Sequence, residues 1–415
     1  MIVNFIGEFL FHPAPLEMSG NTCTHGCAYC FANIRKESRY AKINSAVNQL
    51  KRTEVRTFVD HLIQNGYPIC LSNSTDPFSA TDYINTITLA QYLKDRPNGI
   101  FWQTKGGKGV DDVIEILKEK KNQVWYITLT TLDPDTARRV ESNAPTPQER
   151  LDLMVRLRQL GYLVVIALNP LVEEWMPRKD VDTLIAFAKE NGIEHFVVEQ
   201  LHLNRKEIAS FKPNRRAKFK DAELDKVLEH KQDLKYARDT VDHIEASGLL
   251  PMKIGMPKKS RFFDAIRNSL GKISPNQFDA INYCFDHNTD HGMVLTYDVF
   301  ERIMLEGVED MFLSKFNGFK SYIFKANAHE WIENANVKEV ETLRDVLNIV
   351  WNSKRIKQSL QHNALFQRRQ DEQGNDMLDE RGNITLFFDG VVRRNKSDRV
   401  LKMLETNMTY DKATL

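Results

Sequence analysis

No stretch of this sequence approaches the roughly 18 consecutive apolar residues that a membrane span requires. The opening Met1-Ile2-Val3-Asn4-Phe5 lacks the positive start and long apolar core of a signal peptide. Charge of one sign is lacking as well: 57 Lys and Arg stand against 56 Asp and Glu, a net of +1. That balance neither supports nor excludes a nucleic-acid partner, because binding needs a local basic groove rather than a basic total. Internal repeats and low-complexity tracts are absent. Cysteine is scarce, with five in the chain, and an odd thiol set without secretory context argues against a disulfide framework. Together these absences lead us to expect a cytoplasmic protein without a membrane anchor, in a compartment where thiols stay reduced. Its 415 residues are enough for two to three domains, or for one barrel with an appended domain.

What is present is a concentration of thiols. Three of the five cysteines fall within Cys23-Thr24-His25-Gly26-Cys27-Ala28-Tyr29-Cys30, spaced C-x3-C-x2-C. Thiolate is the soft ligand that an iron–sulfur cluster requires, and three of them on one loop can wrap a four-iron cluster. Three ligands for four irons leave one iron open, as catalytic metal centres do for a substrate. A zinc knuckle remains the alternative at this point, although His25 as a fourth ligand is poorly aimed for a C-x2-C turn.

Taken in order, the chain alternates strand and helix. Pro15 to Met18 reads as a first strand leading directly into the cysteine loop. A helix follows through Ile43, Val47, Leu50, Val55, Phe58 and Leu62, closed by Gly66. Further strands are Pro68–Ser72, Gly99–Gln103, Val124–Thr128, Leu163–Leu168 and Phe196–Glu199, with helices at Tyr83–Leu93, Val110–Lys120 and near Val181–Lys189. Thr146-Pro147-Gln148-Glu149 is a capping box with proline at the first helical position, so a helix runs from there to Gly161. Six alternations in about 200 residues imply a parallel sheet with right-handed crossovers. Six strands do not close an eight-stranded barrel; an α/β fold with a partial six-stranded (β/α)6 barrel is the form expected, its site at the C-terminal strand ends. Residues 1–205 form that unit, 206–250 a charged helical connector, and 251–415 a mostly helical accessory domain. The latter carries one hairpin around Asp379-Glu380-Arg381-Gly382-Asn383.

The cysteine spacing resembles the signature of the radical SAM superfamily. Five ordered stretches within residues 15 to 205 sharpen the resemblance to its spore photoproduct lyase and DNA repair photolyase-like branch. These are Cys27-Ala28-Tyr29-Cys30-Phe31-Ala32; Ser74-Thr75-Asp76-Pro77-Phe78; Gln103-Thr104-Lys105; Thr128-Leu129-Thr130-Thr131-Leu132-Asp133; and Glu141 to Pro147 with Arg150-Leu151. The resemblance implies a [4Fe–4S] cluster on Cys23, Cys27 and Cys30, with S-adenosylmethionine chelating the open iron. One electron, from a donor such as flavodoxin or ferredoxin, then yields a 5′-deoxyadenosyl radical that abstracts hydrogen from a nucleic-acid or nucleotide substrate. A peptide or small metabolite is the alternative substrate, and a non-catalytic zinc or iron–sulfur module is the alternative of another class.

S-adenosylmethionine brings a carboxylate, an ammonium, a ribose and an adenine, so its site needs charges and hydroxyl partners. Ser74 and Asp76 suit the ammonium, Lys105 the carboxylate, Thr128 and Thr130 the ligand's polar groups, and Asn169 the ribose. Glu141 and Arg150 are expected to pair and brace the barrel. The branch's hydrogen-donating cysteine, which precedes the turn after strand two, is missing here, where Ser74 precedes Thr75-Asp76. Cys70, four residues earlier and deeper in the barrel, is the substitute candidate donor, weighed against a buried structural thiol. Cys284, with His287 and His291, is a second candidate as donor, acid, base or metal ligand, weighed against a plain polar turn. Phe211 to Lys220 interleaves aromatics with cations and is the best candidate single-strand nucleic-acid surface, weighed against a solvated loop and helix start.

Overall fold

The computed structural model describes residues 16–19, 23–30, 41–42, 64, 66, 68–71, 75–201, 203, 208–228, 234–252, 261–271, 277–306, 342–352, 359–362 and 365–391. The helix expected through Ile43 to Leu62, and Ser74, lie outside the described residues.

The strands are β1 Leu16–Ser19, β2 Ala41–Lys42, β3 Ile69–Leu71, β4 Ile100–Thr104, β5 Gln123–Thr128, β6 Leu163–Leu171 and β7 His195–Gln200. Between them run α1 Tyr83–Leu93, α2 Val110–Leu117, α3 Pro134–Val140, α4 Pro147–Gln159 and α5 Arg178–Glu190. The capping box at Thr146 forms, with the Glu149 amide donating to Thr146 Oγ1 and the Thr146 amide to Glu149 Oε2. Beyond residue 200 come α6 Pro213–Arg216, α7 Asp221–Leu228, α8 Leu234–Ala246, β8 Leu250–Pro251 and α9 Arg261–Leu270.

All eight strands lie in one parallel sheet, in the order β2-β1-β3-β4-β5-β6-β7-β8. The six expected strands are its body, and two short strands extend the edges. The expected boundary at 205 falls inside this unit. Strand β8 pairs with β7, and Ala237, Ile244 and Leu249 join the core that α1, α2, α4 and α5 form on the outer face. Residues that alternate along β4 and β5 explain the layering. Trp102 and Trp125 face outward, stacked at 4.9 Å with Phe78 beside them, while Phe101, Val124 and Tyr126 face the lumen.

Helix α9 closes the lumen from below. Phe262, Ile266 and Leu270 pack on Cys70, Phe101, Val124, Val165 and Val197. The helix end lies so close to the start of β4 that a Cβ on Gly99 would stand 2.3 Å from the Leu270 carbonyl oxygen. With the floor plugged, the open end of the lumen is the one where the strands finish.

The last third has α10 Gln277–His287, β9 Met293–Leu295, α11 Tyr297–Leu305, α12 Leu343–Asn352, a 3-10 turn Leu360–His362, β10 Phe366–Arg368 and β11 Leu386–Phe388. Its three strands form an antiparallel sheet of order β10-β11-β9. The expected turn at Asp379 is present, with the Asn383 amide donating to Asp379 Oδ1 and Leu378 bridged to Ile384.

Candidate active site at the open end of the barrel

The cysteine loop, residues 23–30, follows β1 and is held by the segment after α3. Ala28 donates its amide to the Val140 carbonyl at 2.8 Å, and Asn143 donates to His25 O at 3.0 Å. The Asn143 side chain donates to Thr24 O at 2.9 Å, and Cys27 forms an antiparallel bridge with Glu141. Gly26 has φ +67°, and a Cβ there would meet Ser142 Oγ at 2.9 Å; only glycine fits this close approach. Segment 141–143 is thus a template for the loop's backbone. Cys23, Cys27 and Cys30 are each half-buried. Burial, with Lys105 opposing it, pushes the Cys27 thiol up to about 12; burial and then Asp76 push Cys23 to about 11.

Asp76 is buried between the loop and the end of β4. Its Oδ1 accepts from the Phe78 amide at 3.0 Å and Thr104 Oγ1 at 2.7 Å; its Oδ2 accepts from the Lys105 amide at 2.7 Å and lies 3.2 Å from His25 Nε2. Burial alone would raise this carboxyl, but His25, then the Lys105 amide and Thr104, hold it below the usual range. Since both oxygens are engaged inside the chain, Asp76 orients the turn, Lys105 and His25. Gly107, at φ +140°, lets this turn close, because a Cβ would stand 2.5 Å from the Phe78 carbonyl oxygen.

Glu141 and Arg150 do pair, fully buried, at 2.6 Å. Tyr29 also donates to Glu141, and Lys105 Nζ lies 3.9 Å away. Arg150 satisfies its remaining donors on the carbonyls of Pro145 and Thr128. Burial would lift the Glu141 carboxyl, but Arg150 and then Lys105 hold it low. Burial pulls Lys105 down, and the Glu141 carboxylate together with Cys27 in its thiolate form raises it above its ordinary value. Lys105 is therefore a half-buried cation beside the cysteine loop.

The upper lumen is polar. Strand alternation places Gln103, Thr128, Asn169 and Glu199 above the inward Phe101, Tyr126, Ala167 and Val197. Asn169 Nδ2 donates to Tyr126 Oη and to Glu199 Oε2, each at 3.1 Å, where the β6–β7 register shifts between Leu168 and Leu171. Burial and Glu199 keep Tyr126 protonated. Gln103 Oε1 and Thr130 Oγ1 are buried without a hydrogen-bond partner among the described residues, which is the condition of a polar atom that awaits a ligand. Tyr126 and Glu199 carry no motif of their own; their shared parity with the inward residues is the signal that identifies them.

Two candidates sit apart from this end. Cys70 is fully buried in the floor layer under α9. Cys284 is buried on α10, and burial pushes its thiol to about 12. His287 stacks on Tyr283 and contacts that residue's own carbonyl, and His291 is exposed on the following turn. Among the described residues no three His, Cys, Asp or Glu side chains are placed to hold a single metal ion, Cys284, His287 and His291 included.

Residues 18–196 match the family model of the radical SAM superfamily. They form a radical SAM domain. This superfamily uses a [4Fe–4S] cluster and S-adenosylmethionine. Among curated proteins, the chain is 23% identical over 203 residues to "Uncharacterized protein ORF301" of Acidianus two-tailed virus, covering 43% of this chain and 64% of that protein. It is 26% identical over 197 residues to "Uncharacterized protein Rv2578c" of Mycobacterium tuberculosis, covering 44% and 56%. The chain thus spans less than two thirds of either relative. Among solved structures, Streptococcus suis SuiB bound to precursor peptide SuiA is matched at 22% identity and TM-score 0.33, over 55% of this chain and 47% of that one. A spore photoproduct lyase complexed with dinucleoside spore photoproduct is matched at 12% and 0.38, over 54% and 70%. At TM-scores below 0.5 neither likeness says anything about the substrate of this chain. No helix among the described residues is long and apolar enough to cross a membrane.

Proposed function

We propose that this protein is a radical SAM enzyme whose cluster is held by Cys23, Cys27 and Cys30, one thiolate to an iron. When bound, the cluster supplies one electron to S-adenosylmethionine, and the resulting radical abstracts hydrogen from the substrate. The observation that carries this reading is the meeting of three half-buried thiols, a half-buried Lys105 ammonium and two buried polar atoms without a partner among the described residues, at the open end of a floor-plugged barrel.

In this reading the chain's own groups divide the work. Lys105, braced by Glu141, pairs with the carboxylate of S-adenosylmethionine. Asp76 holds the Lys105 backbone and His25 in place and touches the ligand only through them. Thr130 and Gln103 take the ligand's polar groups, and Thr128 lines the same wall. Asn169, fixed by Tyr126 and Glu199, faces the ribose. Ser74 is retained as a candidate for the ammonium on its motif alone. The hydrophobic layer beneath keeps water from the floor. We take the substrate to be a nucleic acid or nucleotide, on the five motifs shared with the photoproduct lyase branch, and the electron donor to be a flavodoxin or ferredoxin.

Anaerobically reconstituted protein should bind about four irons and release 5′-deoxyadenosine from S-adenosylmethionine after reduction, with Cys27→Ala inert. Bound zinc in place of iron, or a cluster that never cleaves the sulfonium, would remove the reading. Acceleration by an oligonucleotide, against a peptide, tests the substrate class.

A further inference from the structure

The basic segment 211–220 has a use that its composition does not suggest. Arg215 Nε donates to the Ala28 carbonyl at 2.7 Å, and its Nη2 donates to the Cys30 carbonyl at 2.9 Å. Lys218 Nζ donates to Gly26 O at 3.4 Å and Ser142 Oγ at 3.1 Å. Two cations thus serve three carbonyls of the cysteine loop, from residues almost 190 positions away. The aromatic faces are also engaged: Phe211 stacks on Phe219 at 5.7 Å and carries the Arg215 guanidinium at 4.4 Å. Phe211, Phe219, Arg215 and Lys218 are thus engaged within the chain.

The strap that bears these cations is also anchored outside the loop. Phe219, Leu224 and Ile208 are buried with Trp175, Val140 and Ala28. Arg139 on α3 bonds Glu223 at 2.7 Å and the Lys218 carbonyl at 2.7 Å, and the Lys220 amide donates to Glu223 Oε2. A fixed strap can hold a loop whose own backbone makes few regular hydrogen bonds.

Resting on the radical SAM reading above, we propose that Arg215, aided by Lys218, is a positioning residue: a cationic clamp that holds the cysteine loop in its metal-binding form and favours the reduced state of the cluster seated there. The carbonyls it binds belong to Cys30 itself and to the residues flanking Cys27, so releasing them loosens two of the three ligands. Groups that orient metal ligands from outside are worth 10- to 100-fold in metal affinity. Reduction adds one negative charge to the site, and a nearby cation stabilises that charge. The electron comes from the same donor class named above, and no bond in the protein changes.

The test uses the full chain, reconstituted anaerobically, in four variants: Arg215→Gln, Arg215→Lys, Lys218→Gln and, as a control, Arg216→Gln. Arg216 pairs with the exposed Asp221 at 2.9 Å. Three quantities are read: iron per chain, the rate of iron loss to a chelator, and the midpoint potential by EPR-monitored titration. We expect Arg215→Gln to lose iron about 10- to 100-fold faster. Its reduction equilibrium should move about tenfold toward the oxidised state, which is 59 mV for one electron. Arg215→Lys should restore most of the potential but not the retention, because a single ammonium cannot reproduce the two-carbonyl fork. Lys218→Gln should show the same signs more weakly, and Arg216→Gln should match wild type. Wild-type retention and potential in both Arg215→Gln and Lys218→Gln would overturn the clamp while leaving the radical SAM reading intact. If Arg215→Gln does not fold, Lys218→Gln alone decides. A wild-type chain that takes up no iron overturns the reading beneath the proposal and the proposal with it.

Discussion

The Glu141–Arg150 pair is the most exacting point on which to test this account of the site. Both side chains are essentially inaccessible to solvent, at 0% and 1%. Replacing Arg150 with Met leaves the Glu141 carboxylate buried, with only Tyr29 and Lys105 at 3.9 Å to compensate. It also leaves the Pro145 and Thr128 carbonyls without their donors. Removing one partner of a buried pair costs about 3–5 kcal/mol, and the remaining Lys105 charge places Arg150→Met toward the lower end. Glu141→Gln keeps an acceptor for Tyr29 and leaves Arg150 on its carbonyls, so about 2 kcal/mol is expected. In Glu141→Gln/Arg150→Met both members of the buried pair lose their charge, and only Lys105, at 3.9 Å, loses the Glu141 carboxylate. The double variant should then be less unstable than the sum of the singles, by about 1–3 kcal/mol. Urea unfolding followed through the stacked Trp102 and Trp125 measures the cycle. Because Glu141 bridges Cys27, Arg150→Met should also bind less iron than Glu141→Gln. Additive single effects, or an Arg150→Met variant as stable as wild type, would refute the reasoning.

The remaining expectations concern separate parts of the molecule. His195 opens β7 against Phe262 of the plug, with Nε2 buried and unpartnered, and burial lowers it from 6.5 to about 4, Glu194 opposing and Arg158 and Arg261 assisting. A depressed histidine adds stability above pH 6.5 that is lost as pH falls toward 4, up to about 3 kcal/mol at about 1.4 kcal/mol per unit. His195→Gln should flatten that limb in thermal melts between pH 7 and 4, and an unchanged slope would contradict the assignment. Asp76→Asn should cost about 1–3 kcal/mol, because an amide nitrogen must face either the Lys105 amide or the Phe78 amide; a melt identical to wild type would show that the turn tolerates a donor there. Cys70→Ser should keep full iron content and lose about 1–3 kcal/mol, since a hydroxyl in the floor layer lacks the apolar fit of the thiol. Cys27→Ser should instead lose iron, and a Cys70→Ser variant that loads no iron would place the floor thiol in the site after all. Gly107→Ala should impair packing of the turn on Phe78, read as faster proteolysis near residue 107.

Much of this protein was legible in contiguous residues. The alternation of apolar runs with helical stripes determined the parallel sheet, and Thr146 to Glu149 determined where α4 begins, because period and capping depend on neighbours within one or two turns. The thiol spacing pointed to the metal chemistry for the same reason. What the tertiary structure decided was which side chains share a space. Asp76 looked available for a ligand until Thr104, Lys105 and His25 were brought around it. Cys70 could be read as a donor or as a buried structural thiol, and the packing of α9, some 190 residues later in the chain, places it in the apolar floor layer. Arg215 and Lys218 looked like a surface for phosphates, and folding instead placed them on the carbonyls of the cysteine loop. Burial and charge pairing arise between segments far apart in sequence, so a local pattern specifies a residue's capacity while closure of the barrel decides whether that capacity is already satisfied.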